Sequence, residues 1–227
     1  LAHAVTARNL IVSTGMATIE EIEKALSVIA FGLTGAKVKP SKIAFQSAYH
    51  SENGQQLLKE KVTLLHCTTE YPAPPEEINL RAIETMRDKF GLSVGYSDHS
   101  EGITVPIAAA TLGVSLIEKH FTLDKTLSGP DHKASLEPDE LKAMVSSVRT
   151  VEKIMGDGLK VPRPSELNNR DVARKSLVAA IDIQAGEKFS EKNLTVKRPG
   201  TGRCPMEYWE LLGEECSEDF MTDEIIT

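Results

Sequence analysis

The sequence has 227 residues, of which 41% are hydrophobic and 26% are charged, and its formal net charge is −7. This length and composition are those of an ordinary soluble globular protein with one large core, or with one core and a small satellite domain. The negative charge, together with the lack of a basic stripe with interleaved aromatic residues, argues against a nucleic-acid-binding protein.

No apolar run approaches the roughly 20 residues that a membrane helix requires, and no leader segment precedes the first element. We therefore expect a cytoplasmic protein with no membrane partner. Cys67, Cys204 and Cys216 are widely spaced and form no C-x-x-C pair, which favours reduced thiols over a disulfide framework or a thiolate zinc site. The chain begins at Leu1 rather than at methionine, and we expect it to be part of a longer protein.

A short β-branched run followed by a helical pattern occurs four times in the first two thirds of the chain. Strands and helices that alternate at this rhythm predict an α/β fold, in which helices cover a parallel sheet. The runs and the helical patterns after them are 9–16 and 17–33, 61–72 and 79–91, 92–99 and 103–113, and 114–121 and 138–156.

Several helix ends carry recognisable signals. Thr18 and Glu21 have the spacing of a capping box, Pro138 suits a first helical position, and Gly91 suits a helix end. The stretch 35–60 is too long for an ordinary connection. We interpret it as a peripheral or subunit-contact element with a polar surface helix, or as a tolerated surface insertion.

The composition of the sequence changes after residue 157. Residues 158–173 are polar, contain two prolines and show no helical period, so they predict a linker between a first domain at 1–157 and a small domain at 174–227. Within the small domain, Asp182-Ile183 and the residues after it are echoed 37 positions later from Asp219-Phe220. The echo predicts a pseudo-symmetric domain, and its second copy is truncated at the C-terminus.

Polar residues end all four β-branched runs. In parallel sheets covered by helices, ligands bind at the carboxyl ends of the strands. Ser13 or Thr69 alone could simply cap the next helix, but four polar ends together predict a shared pocket. The ends comprise Ser13 and Thr14, the segment 66–71, the segment 97–99 and the segment 118–120.

His99 and His120 lie 21 residues apart at the ends of neighbouring strands. They could bind one divalent ion, relay a proton, or be two satisfied structural histidines. Two imidazoles would leave the other coordination positions to water and substrate oxygens, unlike a closed zinc site with four protein ligands. Asp98 could cap the next helix or support the histidine beside it.

Two further candidates lie outside the strands. Asp131 and His132 follow on a loop above the same rim, where a solvated surface carboxylate is the alternative. Arg198 stands beside a Pro-Gly turn, where the alternatives are an ordinary surface turn and an arm that meets an anionic or amide-bearing ligand.

Six motifs together resemble the sialic acid synthase family, whose members condense phosphoenolpyruvate with an N-acylated mannosamine-type sugar. They stand in family order over nearly the whole chain as STGM, LLHCTTEYPAP, GYSDHS, IEKHFTLD, GPDHKASLEPDEL and VKRPGTG. The resemblance implies the C-terminal half of a (β/α)8 TIM barrel, strands five to eight, followed by a small β-rich SAF (antifreeze-like) domain.

The resemblance also implies a metal and a mechanism. His99 and His120 would bind manganese, with magnesium as the alternative, and would act with Glu118 as catalytic residues. The metal would polarise the sugar aldehyde, C3 of phosphoenolpyruvate would attack it, and water would add at C2 before phosphate leaves. The phosphate-binding lysines and proton-handling carboxylates of the family would belong to the other half of the barrel.

Other positions would contact substrates. Phosphoenolpyruvate would meet Ser13 and Ser97, the sugar would meet Tyr71, Glu118 and Asp131, and Thr69 would also bind substrate. Arg198 would reach into the barrel of the other subunit of a domain-swapped homodimer and hold the acyl group of the sugar.

Three alternatives stay open. Thr69 stands where members that form N-acetylneuraminate commonly have Asn, so the sugar could instead be 2,4-diacetamido-2,4,6-trideoxymannose, the substrate of a legionaminic acid synthase. A 3-deoxy-heptulosonate-type synthase and a non-catalytic carbohydrate-binding SAF protein are the other two. We also expect four barrel strands on their own to be unstable or self-associating and catalytically inactive.

Overall fold

One parallel sheet of four strands organises the first part of the molecule. The computed structural model describes residues 1–227, which divide into two compact units, Leu1–Asp157 and Gly158–Thr227. The strands of the first unit are β1 (Leu10–Ser13), β2 (Val62–His66), β3 (Ser93–Asp98) and β4 (Ile117–Lys119). They pair in chain order, each parallel to the last, and curl as half of a barrel. The predicted α/β half-barrel is therefore confirmed.

The register of the sheet decides which side chains share a face. Ser97 lies opposite Glu118, and Asp98 lies opposite Lys119. Because successive side chains of a strand point to opposite faces, these two pairs occupy opposite sides of the sheet. Tyr96 is fully buried in the hydrophobic core with the helices, so Asp98 shares the helix-covered face and Ser97 the inner face of the half-barrel.

Six helices accompany this sheet: α1 (Ile19–Leu33), α2 (Lys42–His50), α3 (Glu52–Lys61), α4 (Ala82–Phe90), α5 (Thr104–Thr111) and α6 (Pro138–Met155). The predicted capping box is present, because the Thr18 hydroxyl accepts from the N–H of Glu21 while the Glu21 carboxylate accepts from the N–H of Thr18. Gly91 ends α4 in the left-handed conformation, with φ at 62°, where glycine carries no Cβ penalty.

The core lies between the sheet and its helices. Leu26 on α1 and Ile83 on α4 pack there with Leu64 and Val94 from the central strands. Each is almost completely removed from solvent, and burial of such a side chain stabilises a fold by about 1.5–3 kcal/mol.

The long connection between α1 and β2 is not uniformly peripheral. Its first helix, α2, has no buried residue, and Ile43 is 81% exposed. In α3, however, Leu58 is 1% exposed and belongs to the main core. The interpretation of the whole stretch as a surface element is therefore wrong for α3. The ten residues of α3 contain only two apolar side chains, which are adjacent in sequence. The sequence therefore shows no apolar stripe of helical period from which the buried face could be predicted.

The stretch predicted to be a linker without a helical period contains a helix. This helix, α7 (Pro164–Ala173), begins with a proline at its first position, and the Glu166 carboxylate accepts from the N–H of Arg163. It buries none of its residues, which explains why no apolar periodicity was visible.

The second unit has its own small core. The strands β5 (Ser176–Ala179) and β6 (Leu194–Lys197) form an antiparallel pair. The unit also contains the short helix α8 (Tyr208–Leu211) and several isolated β-bridges. Its buried residues include Leu177, Ile183, Leu211 and Ile226. No helix in either unit combines the length and apolarity that crossing a bilayer requires.

The 37-residue echo corresponds to a reciprocal arrangement in the second unit. Ile183 and Phe220 exchange two backbone hydrogen bonds of 2.8 Å. The Asp182 carboxylate accepts from the N–H of Thr222 at 2.8 Å, and the Asp219 carboxylate accepts from the N–H of Ala185 at 2.7 Å. Since donors and acceptors are both related by the same offset, the two copies lie about a local pseudo-twofold, as the echo predicted.

Candidate active site

Polar side chains from the strand ends lie on the inner face of the half-barrel. Ser13 on β1 has its Oγ 3.2 Å from the Sγ of Cys67, which follows β2. Thr18, not Ser13, caps α1, and the residue that precedes α4 is Arg81, not Thr69. The alternative that Ser13 or Thr69 serves as a helix cap is thus wrong.

The two histidines are close neighbours. The imidazole centroids of His99 and His120 lie 5.7 Å apart, and their ring planes meet at 76°. Tyr71 stacks on His99 at 4.1 Å and lies 5.2 Å from the ring of His120. The structure therefore brings together three of the side chains that the sequence singled out.

The backbone fixes the tautomer of His99. Its Nδ1 lies 2.6 Å from the carbonyl oxygen of Thr68, which can only accept, so Nδ1 carries the proton. In the neutral ring Nε2 then keeps its lone pair, which faces the hydroxyls of Tyr71 at 3.1 Å and Ser97 at 3.4 Å. A metal-binding histidine commonly has one ring nitrogen held by a backbone oxygen in this way, which leaves a lone pair on the other nitrogen.

Ser97 lies between the histidine and a carboxylate. Its hydroxyl donates to Oε1 of Glu118 at 2.7 Å, across the strand pair β3–β4. Glu118 itself is exposed at the inner face, so its second oxygen is available to a ligand. The group formed by Ser97, His99, Glu118 and His120 is assembled from only two adjacent strand ends.

The electrostatics keep Tyr71 neutral. Partial burial raises the pKa of its phenol, and the acidic groups of Cys67, Asp131 and Glu118 raise it further. A protonated phenol is a hydrogen-bond donor, so the Tyr71 hydroxyl donates to Nε2 of His99. The same hydroxyl could donate to an oxygen of a bound ligand.

His99 and His120 offer two nitrogen donors that could bind one divalent cation. No group of three or more His, Cys, Asp or Glu side chains that could hold a metal is present. The two imidazoles alone would supply a minority of the ligands, which leaves positions for water and substrate oxygens. This arrangement differs from a structural zinc site, in which four protein ligands close the coordination sphere.

The loop after β4 forms the rim beside His120. Asp131 and His132 line a cavity of about 280 Å³ together with His120 and Phe121. His132 is anchored, since its Nδ1 lies 2.7 Å from the hydroxyl of the buried Thr122. The carboxylate of Asp131 is exposed and close enough to Tyr71 to influence its pKa.

Thr69 lies above the end of β1. A methyl group built on Gly15 would meet the Thr69 hydroxyl at 3.4 Å, which places this exposed side chain next to the Ser13 strand end. Arg198 belongs to the second unit, where its Nε donates to the carbonyl of Ala173 at 2.9 Å and its side chain is exposed.

Asp98 does not cap α5, because the residue at that cap is Ile103 and no side chain bonds there. Its carboxylate is buried on the helix-covered face and pairs with Lys119. Sequence reasoning missed Lys119 and the contact of Cys67 with Ser13. Strand alternation next to Glu118 could have placed Lys119 on the helix-covered face, whereas no sequence signal indicated its partner.

Comparison with known proteins agrees with this architecture. Residues 1–160 match the NeuB family, and residues 174–227 match the SAF domain. N,N'-diacetyllegionaminic acid synthase of Campylobacter jejuni is 48% identical over 96% of this chain, which covers 59% of that protein. Pseudaminic acid synthase of the same species is 41% identical over 92% of the chain and 53% of the relative.

A solved structure shares the fold. The crystal structure of N-acetylneuraminic acid synthetase from Leptospira borgpetersenii, determined with citrate, is 34% identical, with a TM-score of 0.57 over 74% of this chain and 50% of that one. The chain thus spans only half to three fifths of the length of these relatives. From its two matched regions and these relatives, the chain belongs to the NeuB family and ends in a SAF domain.

Proposed function

We propose that this chain supplies one half of the active site of a synthase that condenses phosphoenolpyruvate with an N-acylmannosamine-type sugar. The products would be a nine-carbon 2-keto acid and phosphate. One observation carries the proposal: His99, His120, Glu118 and Ser97 meet at the carboxyl ends of two adjacent strands. That edge is where enzymes with this fold place their chemistry. The names of the relatives support the same reaction class.

In this proposal His99 and His120 hold a divalent cation, manganese or magnesium, which would supply Lewis-acid polarisation of the sugar aldehyde. The Thr68 carbonyl keeps the His99 ring oriented for binding. Glu118 and Tyr71 would hold sugar oxygens, one as acceptor and one as donor, with Asp131 at the rim and Thr69 on the far side. Ser13 and Ser97 would contact phosphoenolpyruvate.

The metal site is tested by titration of manganese into the protein at its full natural length. We expect His99→Ala and His120→Ala each to weaken binding at least about tenfold, because each removes one of two protein ligands. His50→Ala is the matched control, since this histidine ends α2 and lies outside the site. Unchanged affinity in both site variants would rule out the proposed ligands.

The relatives differ in the product for which they are named, so the sugar substrate needs a separate proposal. The 48% identity with a protein named as a diacetyllegionaminic acid synthase favours 2,4-diacetamido-2,4,6-trideoxymannose over N-acetylmannosamine. The full natural protein should be incubated with phosphoenolpyruvate and each sugar, and the products identified by mass. A product from only one sugar decides the substrate, and carbohydrate binding without any product would favour the non-catalytic alternative.

We also propose that Arg198 acts in the barrel of a second subunit, in a domain-swapped homodimer. The exposure of its guanidinium group on the second unit supports this role. Arg198→Ala and His120→Ala variants, each inactive alone, should recover roughly a quarter of wild-type activity when subunits are mixed and exchanged, because half of the dimers would contain one intact site. Absence of recovery in verified mixed dimers would contradict the swap.

A further inference from the structure

An ion pair lies directly behind the candidate site. Asp98 on β3 and Lys119 on β4 are register partners, and their side chains are 0% and 3% exposed. Nζ of Lys119 donates to Oδ2 of Asp98 at 2.6 Å. Their side chains point to the helix-covered face, so neither can touch a ligand at the inner face.

A buried pair of this kind need not stabilise the fold. Withdrawing two charges from water costs several kcal/mol per ion, and apolar residues of similar volume often serve as well or better. What such a pair does provide is a defined geometry, because both partners lose heavily if they separate. We therefore expect the pair to fix the position of another part of the molecule.

The pair encloses the backbone around His99. The other carboxylate oxygen of Asp98 accepts from the N–H of Ser100 at 2.9 Å and from its hydroxyl at 2.7 Å. Lys119 also donates to the carbonyl oxygen of Ser100. Residues on both sides of His99 are thus bound to a single ammonium group on the neighbouring strand.

That ammonium group belongs to the residue immediately before His120. The backbone carbonyl of His120 is held separately by the N–H of Leu136 at 2.9 Å. The route from His99 through Asp98 and Lys119 to His120 crosses one ion pair and otherwise follows covalent bonds between neighbouring residues.

We propose that the Asp98–Lys119 pair is a positioning element, which sets the distance and orientation of the two histidine rings. This inference rests on the proposed function for its metal, although the geometry that it fixes exists in the protein alone. Removal of the pair should therefore change metal affinity by displacing ligands that are themselves intact.

The test is the double variant Asp98→Asn/Lys119→Met in the full natural protein. It removes both charges, so that no unpaired charge stays buried, and it should fold with a denaturation midpoint close to that of wild type. We expect manganese affinity to fall about 10- to 100-fold, the range seen when groups that orient metal ligands are removed. The imidazole signals of His99 and His120 in the NMR spectrum of the metal-free protein should also shift.

Lys125→Met/Glu140→Gln is the matched control. It removes an ion pair of the same length, 2.6 Å, from the loop and helix that follow β4, and both of its partners are partly exposed. Manganese affinity in this variant should stay within about twofold of wild type. If Asp98→Asn/Lys119→Met does not fold, Lys119→Arg replaces it, because the charge is retained while the donors move, and we expect a several-fold loss of affinity.

The outcomes separate the inference from the function on which it rests. A folded double variant with wild-type affinity and unchanged imidazole signals would overturn the positioning role, even where His99→Ala and His120→Ala abolish binding. Failure of His99→Ala and His120→Ala to weaken binding would instead overturn the metal site. In that case the imidazole signals alone decide whether the pair positions the rings. A merely structural role would lower the denaturation midpoint and leave affinity and signals unchanged.

Discussion

Histidines at the ends of two neighbouring strands point to opposite faces of the sheet. His66 ends β2 on the helix-covered face, where its Nε2 is bound to the carbonyl of Ile78 at 2.7 Å. His99 follows β3 on the inner face, where its Nδ1 is bound and its Nε2 faces the site. The difference is one of parity along the strand, because successive residues point to opposite faces. Residue type alone therefore does not identify which histidine faces the candidate site.

Tyr96 links the core to the pair behind the site. Burial raises its pKa far above its ordinary value of 10.0, and the nearby charge of Asp98 and the hydrogen bond to it raise the pKa further. The unfolded chain loses this proton near pH 10, whereas the folded protein retains it. The stabilising contribution of the protonated phenol is thus complete below pH 10 and declines as the pH rises from there toward the pKa of the folded state.

We predict that Tyr96→Phe makes the free energy of unfolding less dependent on pH between pH 10 and 12, by up to about 1.4 kcal/mol per pH unit for one proton. Denaturant unfolding at a series of pH values measures this. At neutral pH, the comparison serves as the control and should show only the loss of one hydrogen bond, about 1 kcal/mol. Parallel pH profiles for the two proteins would contradict the assignment.

At the scale of elements, α3 illustrates how a polar helix can still be part of a core. Its ten residues include glutamates, lysines and glutamines, yet Leu58 is 1% exposed and Gly54 is buried. A methyl group on Gly54 would lie 1.9 Å from the carbonyl oxygen of Ala48, so the turn from α2 requires glycine there. The α3 part of the connection therefore belongs to the packed core and not only to the surface.

We predict that Leu58→Ala lowers the free energy of unfolding by about 2–5 kcal/mol, because it leaves a cavity in a packed core. Ile43→Ala on α2 is the matched control and should change stability by less than about 0.5 kcal/mol, since Ile43 is 81% exposed. Equal effects of the two substitutions, measured by denaturant unfolding, would show that α3 is as peripheral as α2.

Local patterns predicted the elements better than they predicted their partners. Three kinds of local feature could be predicted from the sequence, because each depends on a few neighbouring residues. They are the alternating strand and helix segments, the capping box at Thr18 and the helix end at Gly91. The helix α7 was missed because it buries none of its residues and hence shows no apolar period, whereas α2 was missed although its Ala48 and Tyr49 pack, partly buried, against the core.

The candidate site divides in the same way. Polar strand ends predicted where His99, His120 and Glu118 meet, since the carboxyl ends of parallel strands share one edge. The partner of Asp98 could not be predicted, because Lys119 becomes its neighbour only through the register of β3 and β4. Register depends on the packing of the whole sheet, which short sequence patterns do not encode.

At the scale of the whole molecule, the half-barrel presents two unpaired sheet edges. The sheet begins at β1 and ends at β4, and neither strand has an outer partner in the sheet. Ile11 on β1 is 58% exposed on the inner face. An open edge beside exposed apolar surface is a template for pairing with another chain. In the relatives, a further two fifths or more of the protein lies beyond the matched region.

We predict that the 227-residue chain, produced alone, self-associates and has no synthase activity, because its outer edges and inner face lack the rest of a barrel. Sedimentation velocity should show species larger than the 24.8 kDa monomer. Addition of the strands that close the barrel should remove this association beyond the dimer and restore turnover, whereas a surface variant such as Ile43→Ala should leave both unchanged. A stable monomer with wild-type turnover from this chain alone would contradict the prediction. It would show that four strands suffice and that the phosphate-binding groups of the reaction lie within these 227 residues.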